Sequence, residues 1–148
     1  MVVGSNPVQM PVLTPVPNQT PSEDYVTEFR VEIYTPPYLQ GNAQRPTNVV
    51  LSSLALTANG SRFQVVFNAP AGNTVCKVVL YHGGYVTHSL HMNHRMLFLD
   101  IKGYVAGASR QSLTVTMPPN KNIAQPGPYV VYVTCGGVPA VGQFVMVS

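Results

Sequence analysis

A chain of 148 residues has the size of one domain with room for an appended arm, and it is long enough to bury a core. Hydrophobic residues make up 45% and charged residues only 9%, so Ser, Thr, Asn, Gln and Gly must cover the surface, which suits a secreted, glycan-bearing or assembling protein better than a cytosolic enzyme. Eight basic residues scattered without a block, for a formal charge of +3, exclude the clustered basic face of a nucleic-acid binder, and no apolar run reaches the roughly 20 residues that cross a bilayer.

Met1 to Gly4 is a short strand candidate. The opening Met1-Val2-Val3-Gly4-Ser5-Asn6 lacks the basic start and long apolar core of a signal peptide, so a trimmed product or a piece of a larger protein is expected. From Pro7 to Pro21 prolines stand at 7, 11, 15, 17 and 21, which rules out a helix or a central strand and predicts an extended, polyproline-like arm. Ordering such an arm costs roughly a kilocalorie per residue, so something must cover it. Tyr25 to Tyr34 follows, with Phe29, Val31 and Ile33 alternating against Glu28, Arg30 and Glu32, the period of a half-buried strand. Pro36-Pro37 ends it, and a boundary falls near residue 45.

Beyond the boundary the chain reads as short strands: Val49 to Leu51, Arg62 to Asn68, Val75 to Tyr81, Tyr85 to Leu90, Met96 to Ile101, Ser112 to Met117, Tyr129 to Thr134 and Gly142 to Val147. Gly, Pro and Asn separate them, and no segment shows a helical period with caps. The expected fold is all-β, with an immunoglobulin-like sandwich over residues 46–148 preceded by the extended segment 1–45. Cys76 and Cys135 lie in separate apolar runs and read as one disulfide joining two strands, with buried free thiols as the alternative. Two sequons, Asn18-Gln19-Thr20 and Asn59-Gly60-Ser61, would accept glycans at Asn18 and Asn59 in a secretory pathway.

Three of the four histidines, His88, His91 and His94, fall within seven residues. Their three-residue spacing would align them on a helix but splays them over both faces of a strand, so they are not expected to converge. Surface hydrogen bonding is expected of His91 and His94, and a solvated turn of His82 beside Gly83-Gly84. Ser89 next to His88 makes no triad, because adjacent residues of a strand point to opposite faces. Asp100 is the sandwich's only carboxylate, which excludes a two-acid glycosidase, and neither cysteine has the charged neighbours of an activated thiolate. Gly83-Gly84 and Gly136-Gly137 lack a following helix to receive phosphate. Tyr81, Tyr85, Tyr104, Tyr129 and Tyr132 suggest a sugar-stacking face, but there is no Trp, and core filling suits most of them better.

Tyr34-Thr35-Pro36-Pro37-Tyr38-Leu39, Val86-Thr87-His88-Ser89 with Met92 and Arg95, Pro118-Pro119-Asn120, Pro126-Gly127-Pro128-Tyr129 and Gly137-Val138-Pro139-Ala140 occur in that order. Together they resemble the carboxy-terminal part of the glyoxal oxidase and galactose oxidase family of copper radical oxidases. The resemblance implies an early-set sandwich over residues 46–148 and, within residues 1–45, strands similar to those of a last propeller blade. It implies that His88 is a single copper ligand, carried on a loop into a propeller that supplies the remaining ligands, a tyrosine cross-linked to a cysteine and a tyrosine-histidine pair. Nothing here matches those propeller elements. A complete parent would be a secreted enzyme oxidising an aldehyde or primary alcohol and reducing O2 to H2O2, with copper held in the intact enzyme. The chain alone is expected to hold no copper and to be inactive, because one histidine cannot supply a catalytic site. If His88 is a ligand, its other ring nitrogen should meet a carbonyl or carboxylate.

Two alternatives come from other classes. One is an extracellular structural subunit that polymerises by lending residues 1–22 to neighbouring copies as an added strand. The other is a glycan-binding module. The expected partners are therefore the missing propeller or further copies of the chain, with glycans possible, and neither nucleic acid nor a membrane span.

Overall fold

A computed structural model describes residues 2–5, 13, 27–41, 44–72 and 75–148, with backbone alone for 2–5. The chain divides into two compact units, Met1–Gly41 and Asn42–Ser148.

In the first unit β1 (Val2–Ser5) pairs antiparallel with β2 (Glu28–Glu32), and Pro37–Leu39 forms one turn of 3-10 helix. The ribbon is narrower than the expected strand from Tyr25 to Tyr34. Its alternation also does not end in half burial: Phe29 and Val31 stay 62% and 57% exposed, because two strands make no second layer to cover them. Arg30 donates from Nε and Nη2 to the Glu28 carboxylate, and this pairing pulls the Glu28 carboxyl down to about 2. Of residues 1–22, the arm on which the polymerising alternative depends, all but 2–5 and 13 lie outside the described residues, as does Asn18.

The second unit is the sandwich. Its strands are β3 (Thr47–Leu51), β4 (Ala55–Leu56), β5 (Arg62–Asn68), β6 (Cys76–His82), β7 (Tyr85–Thr87), β8 (Leu90–Met92), β9 (Arg95–Lys102), β10 (Arg110–Thr116), β11 (Gly127–Cys135), β12 (Val138–Pro139) and β13 (Gln143–Val147). Pairing runs β3-β5-β10-β9-β6-β11-β13-β4, with β12 on β11. β9 serves both layers: Arg95 to Leu99 pair with β6, whereas Asp100 to Lys102 pair with β10. One strand thus turns the corner between two sheets.

Period-two sequence explains the layers. Phe63, Val65 and Phe67 of β5, Leu113 and Val115 of β10, Val78 and Leu80 of β6, and Tyr129, Val131 and Val133 of β11 all face one core and are buried. Burial raises the Tyr129 hydroxyl's pKa above its ordinary value, against the opposing pull of the Arg95 charge. Cys76 and Cys135 are register partners on β6 and β11, and a disulfide joins them.

One core position is polar. Gln111 is 1% exposed on the inner face of β10, where its Oε1 accepts from the Val105 amide at 3.1 Å and its Nε2 donates to the carbonyls of Val105 and Ala108 at 2.6 and 2.8 Å. Every polar atom of that amide is used, so its burial pins the 103–109 loop rather than weakening the core.

Candidate functional site

The expected strand from Tyr85 to Leu90 is instead two strands and a turn. β7 and β8 pair as Tyr85↔Met92, Val86↔His91 and Thr87↔Leu90, in the same register that pairs β6 with β9 from Val78↔Leu99 to His82↔Arg95. A single hairpin therefore rises out of the sandwich, and its tip is the two-residue loop His88-Ser89. From the last sandwich pair to that tip is six residues, at most about 20 Å of extended strand.

The neck of the hairpin is built for close approach. Gly84 has φ +60°, and a Cβ there would stand 1.9 Å from the Met92 carbonyl oxygen, so only glycine fits. Opposite it Asn93 also adopts positive φ, at 56°. His82 lies beside the neck, but it is not a solvated turn residue: it ends β6, is half-buried, and stacks on Tyr129 with ring centroids 4.9 Å apart. Its Nδ1 is 2.9 Å from the Asn93 carbonyl oxygen. The Gly84 amide donates toward the same nitrogen at 3.2 Å, so the ring's tautomer decides whether Nδ1 pairs with the Asn93 carbonyl or with that amide.

At the tip, His88 and Ser89 have φ of 52° and 61°. Positive φ at both central residues is the pattern of a type I′ turn, which Asn-Gly or Asp-Gly would normally make. Because both residues belong to a turn, the strand argument against a His88–Ser89 pair does not apply; the pair still lacks an acid, since Asp100 is on β9. The His88 ring is exposed, and its Nδ1 lies 2.8 Å from Thr87 Oγ1. A threonine hydroxyl thus stands where a carbonyl or carboxylate was expected. No partner engages Nε2 among the described residues.

The other histidines do not join it. His94 Nε2 is hydrogen-bonded to the Tyr81 hydroxyl, and its ring lies 6.0 Å from that of His91. Among the described residues no three His, Cys, Asp or Glu side chains group as a metal site. The donor set fits copper only as a fragment: one imidazole with a free nitrogen suits the ion, and one is too few to hold it.

Arg95 has a role that sequence reading did not supply. At the base of the hairpin its guanidinium donates to the carbonyls of Asn122 and Ile123, while Asn120 Oδ1 accepts from the amides of the same two residues. The hairpin is thereby tied to the loop after β10. The sequence signal was that Arg95 and Asn120 both fall in the ordered motifs of the family resemblance, and that Arg95 is one of few charges in the chain. Tyr81 and Tyr132 meet edge-on at 6.2 Å, Tyr129 is in the core, and Tyr85 is on the hairpin, so the tyrosines are spread over the fold. Asn59 is exposed, in a turn where its Oδ1 accepts from the Ser61 amide at 3.0 Å. No helix among the described residues is long and apolar enough to cross a membrane.

A protein named aldehyde oxidase GLOX1 from Arabidopsis thaliana is 29% identical over 130 residues, 84% of this chain and 21% of its own length. Aldehyde oxidase GLOX from Vitis pseudoreticulata is also 29% identical, over 82% of this chain and 24% of its own. The fold superimposes, with a TM-score of 0.63 and 28% identity over 77% of this chain, on 24% of a fungal alcohol oxidase of the AA5 family solved in complex with copper. The chain thus spans between a fifth and a quarter of each of these relatives. Residues 45–147, the sandwich with its histidine hairpin, match the model of the galactose oxidase-like early set domain, and the chain belongs to that family.

Proposed function

We propose that this chain is the carboxy-terminal domain of a secreted copper radical oxidase, and that His88 is its one contribution to the copper site. The observation that carries the reading is the hairpin: in one continuous register with β6 and β9 it presents an exposed imidazole at its tip, and no three metal-ligating side chains gather there among the described residues, so further donors would have to come from another part of the polypeptide. Relatives that share the domain are about three to four times as long as this chain and bear the names of aldehyde or alcohol oxidases, which supports a partner domain, a propeller, as the source of those donors.

Copper bound there would supply the redox chemistry that takes an aldehyde or primary alcohol up one oxidation level while O2 takes two electrons and two protons to become H2O2. The residues of this chain do three things for it. His88 donates one nitrogen; the β7–β8 ladder and Gly84 neck set the reach of that nitrogen; and Arg95 with Asn120 braces the base. Phe29 and Val31, exposed on a two-stranded ribbon, suit strands whose blade is completed by polypeptide upstream. Secretion is consistent with the Cys76–Cys135 disulfide and with the exposed sequon at Asn59, which together with Asn18 we read as glycan acceptors.

The full-length gene product and residues 1–148, assayed side by side for peroxide with copper and a small aldehyde, test the reading. Full-length enzyme is expected to form peroxide, and residues 1–148 none. A full-length product that contains copper yet oxidises neither aldehydes nor primary alcohols would sink it.

A further inference from the structure

We infer that Thr87 is a positioning residue for His88: its hydroxyl oxygen accepts from Nδ1–H and so holds the imidazole in the tautomer whose Nε2 lone pair is free to act as donor. The inference rests on the reading of His88 as a ligand, and three observations support it.

The first is contact. Oγ1 of Thr87 and Nδ1 of His88 are 2.8 Å apart, a contact in which a hydroxyl can donate or accept; a neutral imidazole carries one proton, so with Nε2 given to a metal that proton stands on Nδ1 and the hydroxyl accepts it. An isolated histidine side chain favours the Nε2–H form, which is the wrong one for a donor at Nε2. The second is rigidity. Threonine is β-branched and restricted at χ1, and Thr87 is fixed in the ladder opposite Leu90, so its oxygen has a defined place. The third is backbone conformation. His88 and Ser89 both sit in the left-handed region, where non-glycine residues carry backbone strain. An Asn-Gly pair would close the same hairpin more easily. Histidine is kept at a position that turn chemistry disfavours, and that turn brings its ring back onto the preceding hydroxyl.

His91 and His94 have no such arrangement. His94 is occupied by Tyr81, and no hydroxyl contacts the His91 ring among the described residues.

Long-range 1H–15N NMR of the 148-residue chain, at a pH above the imidazole titration, reads the tautomer without any metal. His88 should show a protonated Nδ1 and an unprotonated Nε2. Thr87→Val, which keeps the branch and loses the acceptor, should exchange the two nitrogen shifts; Thr87→Ser should restore them; and His82, beside the hairpin neck, should not change in either variant and so reports intact packing. In the full-length oxidase Thr87→Val should lower copper affinity about 10–100-fold, the range for losing a partner of a metal-bound histidine, with recovery in Thr87→Ser. A wild-type His88 protonated at Nε2, or a Thr87→Val chain that stays protonated at Nδ1, overturns the inference. Neither result touches the ligand reading, which fails separately if His88→Ala in the full-length enzyme leaves copper bound.

Discussion

Replacing His88 with alanine in the full-length protein is expected, on the proposed oxidase function, to cut peroxide formation by at least about 100-fold and to lower copper occupancy in parallel. Loss of a mere partner of a metal-bound histidine costs about 10–100-fold in affinity or activity, and loss of the ligand itself must exceed that. Copper analysis and peroxide assay on one preparation check it. His91→Ala and His94→Ala make the comparison specific. Both residues are close neighbours of His88 in sequence, yet His91 is in mid-strand on β8 and His94 is bonded to Tyr81 at the hairpin base. Both variants should keep their copper. If His94→Ala loses copper and His88→Ala does not, the hairpin tip is not where the ligand lies.

Removing the Cys76–Cys135 bridge should have the largest effect on stability. The cross-link closes a segment of 59 residues between two strands that are also register partners, and loop-closure entropy for that length is worth about 4 kcal/mol. For a sandwich of this size that corresponds to a fall in Tm of about 15–25 °C. Calorimetry on Cys76→Ala/Cys135→Ala reads the sum of cross-link and packing, since both side chains are at most 4% exposed and each truncation leaves a void. The reduced wild-type chain keeps both sulfurs and isolates the cross-link. A fall under about 5 °C on reduction would mean that the β6–β11 ladder holds this edge of the core unaided.

Much of this architecture was legible because burial imposes a period. β5, β10 and β11 alternate apolar and polar residues, and each emerged within two residues of where its pattern placed it. The short pairs β4 and β12 were invisible, since two residues carry no period. Gln111 was left outside its strand because its amide looks like surface until the Val105 and Ala108 backbone groups that satisfy it are seen. The hairpin was misread for a related reason. Tyr85 to Leu90 is a β-rich run with no glycine or asparagine at its centre, and a type I′ turn made of histidine and serine gives no turn signal. The Cys76–Cys135 disulfide was legible from two cysteines in separate apolar runs, and the register of β6 against β11 brings the two sulfurs together. His88 itself was recognisable only through the order of surrounding motifs; nothing in its spacing from His91 and His94 separates it from them.

The reach of the hairpin, the tautomer at its tip and the oxidase reading all depend on this chain supplying one donor to a site completed elsewhere. The most direct measurement is the copper retained by purified residues 1–148 after incubation with excess Cu(II) and desalting, with peroxide formation from a small aldehyde followed on the same sample. Far less than one equivalent of copper is expected, with no aldehyde-dependent peroxide. One tightly held copper per chain with turnover would contradict it.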